Sequence, residues 1–186
     1  MDAFEQVVSD ILWMQGYWVK TSVKVELTKE DKQAIGKPTS PRWELDVVGY
    51  RGGDNVLQVV ECKSFLDSTG VKAWAFDLAD PELNTGDRYK LFNDATLRRV
   101  VFDRLAQQFA KSRACRDNPT VRLALACGKI KSELDRVSIR QRFEAQGWDL
   151  WDEQWLREHL GIMAGKGYEN QVSAIVAKLL LRKKVE

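Results

Sequence analysis

Phe4, Val7, Val8, Ile11 and Leu12 recur at helical spacing within residues 3–15, and Gly16 ends the run. The chain therefore opens on a helix with one apolar stripe. YWVKTSVKVEL (17–27) reads as a strand. The polar stretch after it, to about Pro41, reads as a loop or a poorly formed hairpin. RWELDVVGY (42–50) and NVLQVVECKSF (55–65) are β-branched runs on either side of Arg51-Gly52-Gly53-Asp54, a hairpin signal. Gly53-Asp54 suits a two-residue turn whose first position needs a positive φ. In that register Tyr50 faces Leu57, Val48 faces Val59, and Asp46 lies opposite Glu61, with directly opposed Cβ atoms about 4.5–5.5 Å apart.

Residues 66–90 have no clear period and read as an irregular insertion holding Trp74, Phe76, Pro81 and several acids. A long helix is predicted from about Asn93 to Arg113, with Leu97, Val101, Leu105 and Phe109 on one face. TVRLALAC (120–127) reads as a buried strand. Lys131 to Gln146 reads as a helix stopped by Gly147, WDLWD (148–152) as a short strand, and the rest from Glu153 as helical. The order is helix, three strands, helix, strand, helix, strand and terminal helices, which is an α/β pattern.

At 186 residues, 44% hydrophobic and with a net charge of +2, the chain fits one domain spanning 1–186, and disorder is not expected. MDAFEQVVSD carries acids where a signal peptide needs a basic region, and the longest apolar stretch, near Ala174 to Leu181, is broken by Lys178. The cysteines Cys62, Cys115 and Cys127 form an odd set without short spacings, which points to reduced thiols in a cytoplasm. His159 is the only histidine, so sites built from several are excluded, and it reads as part of an ordinary helix end. Charge is segregated: residues 1–87 hold 9 Lys and Arg against 15 Asp and Glu, whereas residues 88–142 hold 14 against 5. That basic stretch is either a solvated helix surface or an attractor of polyanions.

The candidate chemistry lies in the hairpin. Side chains two apart on a strand share a face, so Glu61 and Lys63 point together, and Asp46 on the partner strand projects to the same side. Two carboxylates and an ammonium thus meet on an aliphatic sheet, where buried charge costs several kcal/mol per ion unless it is paired or bound to metal. A divalent cation would hold the carboxylates together, and Mg²⁺ often uses only one or two of them. A plain cross-strand salt bridge is the bland alternative.

ELDVVGY…VVECKSF resembles the core of the PD-(D/E)XK, or restriction-endonuclease-like, nuclease superfamily, in a flavour similar to archaeal Holliday-junction resolvases and Mrr-type restriction nucleases. The resemblance covers roughly residues 3–65, and the later element order is compatible through about Leu160. Leu45 stands where the motif name has proline. The resemblance implies an αβββαβ core, a mixed central sheet flanked by helices, with extra C-terminal helices here. It places Asp46 and Glu61 at the two acids and Lys63 at the lysine. It also implies Mg²⁺, or Mn²⁺ in its stead, on Asp46, Glu61 and the Cys62 backbone carbonyl.

Relatives of this flavour often carry an acid on the first helix, and Glu5, bordering the buried stripe, matches it better than Asp10, which faces solvent on the wheel. The implied reaction is hydrolysis of DNA phosphodiesters in repair, recombination or restriction, leaving 5′-phosphate and 3′-hydroxyl ends. Two alternatives stand beside it: a nuclease-fold DNA-binding or assembly subunit without activity of its own, and an unrelated α/β protein with a chance motif. Glu44 shares parity with Asp46 and is either a cleft residue or a rim residue. Asp67, Asp77, Asp80 and Asp87 lack ligand spacing. Arg99, Arg104, Gln107 and Lys111 fall opposite the buried face of their helix, free for phosphate. Trp148, Trp151 and Trp155 are packing residues, and Trp74 is the one to watch for a nucleic-acid contact. The apolar positions of the last helix, Val172, Ile175, Val176, Leu179 and Leu180, serve either a homodimer or the chain's own core.

Overall fold

A computed structural model describes residues 2–39, 42–76, 86–167 and 170–181. Its elements are α1 (Ala3–Met14), β1 (Trp18–Glu26), α2 (Lys29–Ala34), β2 (Arg42–Arg51), β3 (Val56–Lys63), α3 (Lys90–Asn93), α4 (Ala95–Lys111), β4 (Thr120–Cys127), α5 (Glu133–Gln146), β5 (Asp149–Trp151), α6 (Glu153–Gly165) and α7 (Val172–Leu181). Short 3₁₀ turns lie at Ala73–Phe76 and Gly86–Tyr89. The five strands form one sheet in chain order. β1, β2 and β3 pair antiparallel, and β4 and β5 continue parallel to β3. The fold is thus α/β, with a mixed sheet flanked by helices.

β3 is the middle strand, and Val56 to Val60 are all buried, as expected of a strand covered on both faces. Leu57 and Val59 join Leu123, Leu125 and Cys127 on one face, under Leu97, Val101, Leu105 and Phe109 of α4 and Ile139 and Phe143 of α5. Aromatic edges fill that layer: Phe76 meets Tyr89, Phe92 and Phe143 at centroid distances of 4.7, 5.6 and 5.1 Å. On the opposite face Val60, Cys62, Ala124 and Ala126 pack under Val8, Ile11 and Leu12 of α1, and Leu156 and Met163 of α6.

The hairpin register holds as expected at Tyr50–Leu57 and Val48–Val59, but its turn is wider. The last pair is Arg51–Val56, so four residues make the loop, and Asn55 rather than Gly53 takes a positive φ, +54°. Asn55 is held there by the Tyr50 hydroxyl, 3.0 Å from its Oδ1, and donates to the Asp117 carbonyl at 3.0 Å.

The polar stretch expected to be loop or hairpin contains α2. Its signal is the capping pair Thr28 and Asp31, in which Thr28 Oγ1 accepts from Asp31 N–H at 3.2 Å and Asp31 Oδ2 accepts from Thr28 N–H at 2.8 Å. With no buried residue, α2 shows no apolar period to read. Arg104 of α4 fastens it, with Nε 2.6 Å from Asp31 Oδ2, so Arg104 is not free for phosphate. Asp94 caps Leu97 N–H at 2.8 Å and starts α4, the long helix expected from about Asn93 to Arg113, with α3 a separate turn before it.

Asp10 is buried, not solvent-facing, and accepts from Gln6 Nε2 at 2.7 Å and from Ser173 Oγ of α7 at 2.6 Å. A helical wheel places Asp10 away from the sheet, and the distant α7 covers that side. Within α7 itself the small residues Ala174 and Ala177 face the core. Val172, Leu179 and Leu180 are 77%, 79% and 76% exposed, so they do not serve the chain's own core. Among the described residues no helix is long and apolar enough to cross a membrane.

Asp152, which caps α6, is fully buried and ties α5 to α6. Its Oδ1 accepts from Gln154 N–H at 3.1 Å and Trp155 N–H at 3.0 Å, and its Oδ2 from Arg136 and Arg140 at 2.6 and 2.7 Å. Burial works to raise its pKa, but the Trp155 N–H and the two guanidiniums together outweigh burial and hold it below the ordinary 3.8. A depressed carboxyl adds stability above its unfolded pKa and loses it as pH falls through the folded one. Asp152→Asn should therefore cost about 3 kcal/mol in urea unfolding at pH 7, because Arg136 is left buried and under-compensated. The deficit should shrink below about pH 4. Equal stability of the two proteins at pH 7 would show that the network is not structural.

Candidate active site

The site forms where the sheet comes apart. The β2–β3 ladder ends at Val47–Val60, one pair short of Asp46 and Glu61. On the other side the β1–β2 ladder steps from Thr21–Val47 to Val23–Leu45 across Ser22 and Asp46, and Ser22 takes a φ of +50°. Both strands change phase there. Tyr17 and Val19 pack on the α1 face, whereas Val23 and Val25 pack on the α4 face. In β2, Leu45 and Val48 both reach the α4 face while Val47 reaches the other. A regular strand would send 45 and 48 to opposite sides.

Asp46 sits at this break, and its Oδ2 accepts from Cys62 N–H at 2.7 Å, taking over a backbone donor beyond the end of the ladder. On β3 Glu61 and Lys63 meet directly, with Lys63 Nζ 2.7 Å from Glu61 Oε1, and across the gap Lys63 Nζ lies 4.0 Å from Asp46 Oδ2. The three expected residues are thus gathered, but Lys63 joins the two carboxylates, and continued strand pairing does not. The Asp46 side chain is 26% exposed and that of Glu61 17%, so the cluster lines a partly open gap.

The electrostatics follow from burial and like charge. Burial raises the Glu61 pKa above its ordinary 4.5, Lys63 pulls it back, and Asp46 and then Glu5 push it up again. For Lys63, burial opposes the charge, but Glu61 and Asp46 prevail and its pKa is raised, so it stays an ammonium. Burial, together with Asp46 and Glu5, drives the Cys62 thiol far upward, so it is no nucleophile.

Glu5 caps α1. Its N–H donates to Asp2 Oδ1 at 2.8 Å, and its Oε2 accepts from Asp2 N–H at 3.3 Å. Burial and then the Asp46 charge raise its pKa, which puts Glu5 within the field of the cluster. Glu44 is exposed and pairs with Lys24 across the strands, and the phase change at Asp46 removes the parity that would place both acids in one cleft. Asp77 and Asp80 lie outside the described residues, as does the side chain of Asp87. Asp67 is exposed.

Tyr89 is a neighbour that sequence reasoning missed. It is 5% exposed, packs on Phe76 at 4.7 Å and lines the cavity that begins two residues past Lys63, and burial, then Cys127 and Glu61, raise its pKa. It closes the irregular insertion, where no period announces it. His159 is structural, with Nδ1 2.8 Å from the Trp155 carbonyl oxygen and its ring stacked on Trp155 at 3.7 Å. Trp151 stacks on Trp155 at 4.6 Å, and Trp148 packs edge-on against Phe92 and Phe143, as expected of packing residues.

Several cations of the basic segment are also structural. Arg98 donates to the Leu91 and Phe92 carbonyls and lies over Trp148, and Arg136 is buried. Lys72, Lys129 and Lys131 stand at the same end of the sheet as Lys63, since Lys63 pairs with Cys127 and Val71 bridges Ile130. In comparisons with known proteins, no family model matches the chain and no curated protein matches it either.

Asp46→Asn keeps an acceptor for Cys62 N–H and should fold with near-normal stability. Asp46→Ala removes it and should cost about 1 kcal/mol in urea unfolding, the low end for an orphaned donor because the gap is partly open. Indistinguishable melts of the two variants would remove the hydrogen bond as the organiser of the gap.

Proposed function

We propose that the chain is a metal-dependent nuclease of the PD-(D/E)XK kind that hydrolyses DNA phosphodiesters. The observation that carries the reading is the meeting of Asp46, Glu61 and Lys63 at the break between β2 and β3. The αβββαβ order from α1 to β4, passing over the short α2 and α3, accords with it.

Among the described residues no three His, Cys, Asp or Glu side chains form a metal-holding group. An ion here would rest on Asp46, Glu61 and the Cys62 carbonyl, with water completing the shell. That donor set fits Mg²⁺, which takes hard oxygen ligands and often only one or two carboxylates. Within an extended strand the N–H and C=O of one residue point the same way, so the Cys62 carbonyl faces the gap that its N–H enters. The raised Glu61 pKa reflects the burial and crowding of negative charge that a cation would relieve. When bound, Mg²⁺ supplies Lewis-acid polarisation of a phosphodiester oxygen and of the attacking water.

The chain's own groups do the rest. Lys63, held as an ammonium, sets a compact positive charge beside the developing charge on phosphorus. Asp46 is oriented into the gap by Cys62 N–H at 2.7 Å. Glu5, in the field of Asp46, is placed to orient water. The lysines at this end of the sheet hold the DNA backbone without reading sequence. A second reading, a nuclease-fold subunit that binds DNA without cutting it, draws on Glu61 being already paired with Lys63 and Glu5 being engaged in its cap.

Incubation with linear, single-stranded and branched DNA should give cleavage with Mg²⁺ or Mn²⁺ and none in EDTA. Lys63→Met should lower turnover about 100-fold or more while Mn²⁺ still binds. An inactive wild type that binds DNA leaves the second reading.

The pH dependence has a definite sign. A raised folded pKa means that Glu61 gives up its proton late, and the ionised form is the ligand. At subsaturating Mg²⁺ the rate should fall on acidification through a limb above the ordinary 4.5 of glutamate. A limb at or below 4.5 would take Glu61 out of the reaction.

A further inference from the structure

Two residues past Lys63 the chain enters the wall of a cavity of about 430 Å³, lined by Phe65, Ser68, Lys72, Trp74, Arg88 and Tyr89 among others. The volume lies in the range of small-molecule sites, roughly 300–1,000 Å³. No acid lines it among the described residues. The chain itself connects the cavity to the carboxylate cluster, since Lys63 contacts Asp46 and Glu61 and Phe65 lines the cavity.

The wall is fixed in advance. Val71 N–H donates to the Lys129 carbonyl at 3.0 Å, Lys131 N–H to the Val71 carbonyl at 2.9 Å, and Lys129 Nζ to the Ser68 carbonyl at 2.8 Å. Ala73 N–H is held by Asp135 Oδ1 at 2.8 Å. The two segments approach so closely that a Cβ at Gly128 would lie 2.3 Å from the Ser64 carbonyl oxygen. One at Gly70, where φ is +88°, would lie 2.9 Å from the Ile130 carbonyl carbon. Phe65 itself takes a φ of +44°, and such strain persists only where the surroundings impose it.

The lining has a chemical bias. Aromatic faces accept a flat π-system, and Lys72, with Nζ 5.5 Å from the Trp74 ring centroid, and Arg88 bring positive charge to the same opening. A planar group tethered to anions satisfies both, and that is a nucleotide within a strand. A base stacked in a duplex cannot enter, whereas an unpaired one can.

We propose that this cavity takes one unpaired base of the strand presented to Asp46 and Glu61, stacked on Trp74 with its flanking phosphates at Lys72 and Arg88. The substrate class is then single-stranded, flapped or mismatched DNA in preference to intact duplex. The assignment of the adjoining phosphodiester rests on the nuclease reading, but occupancy of the cavity does not.

The test is fluorescence anisotropy in EDTA, where nothing is cut, with a labelled short single strand and its duplex. The wild type should bind the single strand more tightly than the duplex. Trp74→Ala should weaken single-strand binding about tenfold, the size of one lost base–aromatic stack, and change duplex binding less than about twofold, with Trp74→Phe restoring most of the loss. Because Trp74 also packs on the core, the double variant K72Q/R88Q provides a second arm and should likewise weaken the single strand more than the duplex.

Duplex preference by the wild type, or equal losses on both ligands, would overturn the proposal. Mg²⁺ cleavage run in parallel separates the two readings. Trp74-dependent single-strand binding without any cleavage keeps the cavity and removes the nuclease, whereas cleavage with duplex preference keeps the nuclease and removes the cavity.

Discussion

The hydrogen bond from Cys62 N–H to the Asp46 carboxylate governs the geometry around it. A sheet whose strands part in its interior leaves backbone donors that must find another acceptor. Here a side chain provides one, so β2 and β3 can separate without an orphaned amide. The parting creates a gap between a strand buried on both faces and its neighbour, and that gap is where charge can stand. The same contact fixes the Asp46 carboxylate in position, so the structural and chemical tasks of Asp46 are one arrangement.

Around that fixed carboxylate the charges are balanced but not at rest. Glu61 and Lys63 form a close pair, yet Asp46 and Glu5 add negative charge to a partly buried volume. The folded chain tolerates this crowding because Lys63 is held as an ammonium by both carboxylates. Asp152 shows the contrasting solution, since four donors quench one carboxylate and hold it well ionised. One arrangement consumes its charge in holding α5 and α6 together. The other keeps negative charge in reserve, which on the proposed reading is what a cation meets.

Much of this was legible in the residues. The α4 face of Leu97, Val101, Leu105 and Phe109 follows from periodicity, the hairpin pairing from its two β-branched runs, and the strand at Thr120–Cys127 from an apolar run buried on both faces. The meeting of Asp46, Glu61 and Lys63 was legible from the hairpin register, although the pairing stops one rung short of Asp46 and Lys63 makes the junction. What periodicity could not show depends on contacts distant in sequence or on the end of a pattern. The phase change at Ser22 and Asp46 has no marker, since neither residue is glycine or proline. Asp10 is buried by α7, far along the chain. α2 has no buried face, and only its Thr28–Asp31 cap announces it. Tyr89 lines the adjoining cavity from an aperiodic segment.

The paired irregularity in β1 and β2 also bears on how such a chain can change length. Ser22 and Asp46 occupy the same rung of neighbouring strands, and each shifts its strand by one face. Deleting one residue at either position would restore regular alternation in that strand and keep its side chains on their present faces, but would leave the neighbour's extra residue unopposed, as in a β-bulge. Only a paired deletion would leave two regular strands without a bulge, so the rung couples the lengths of β1 and β2 at the position that carries the carboxylate.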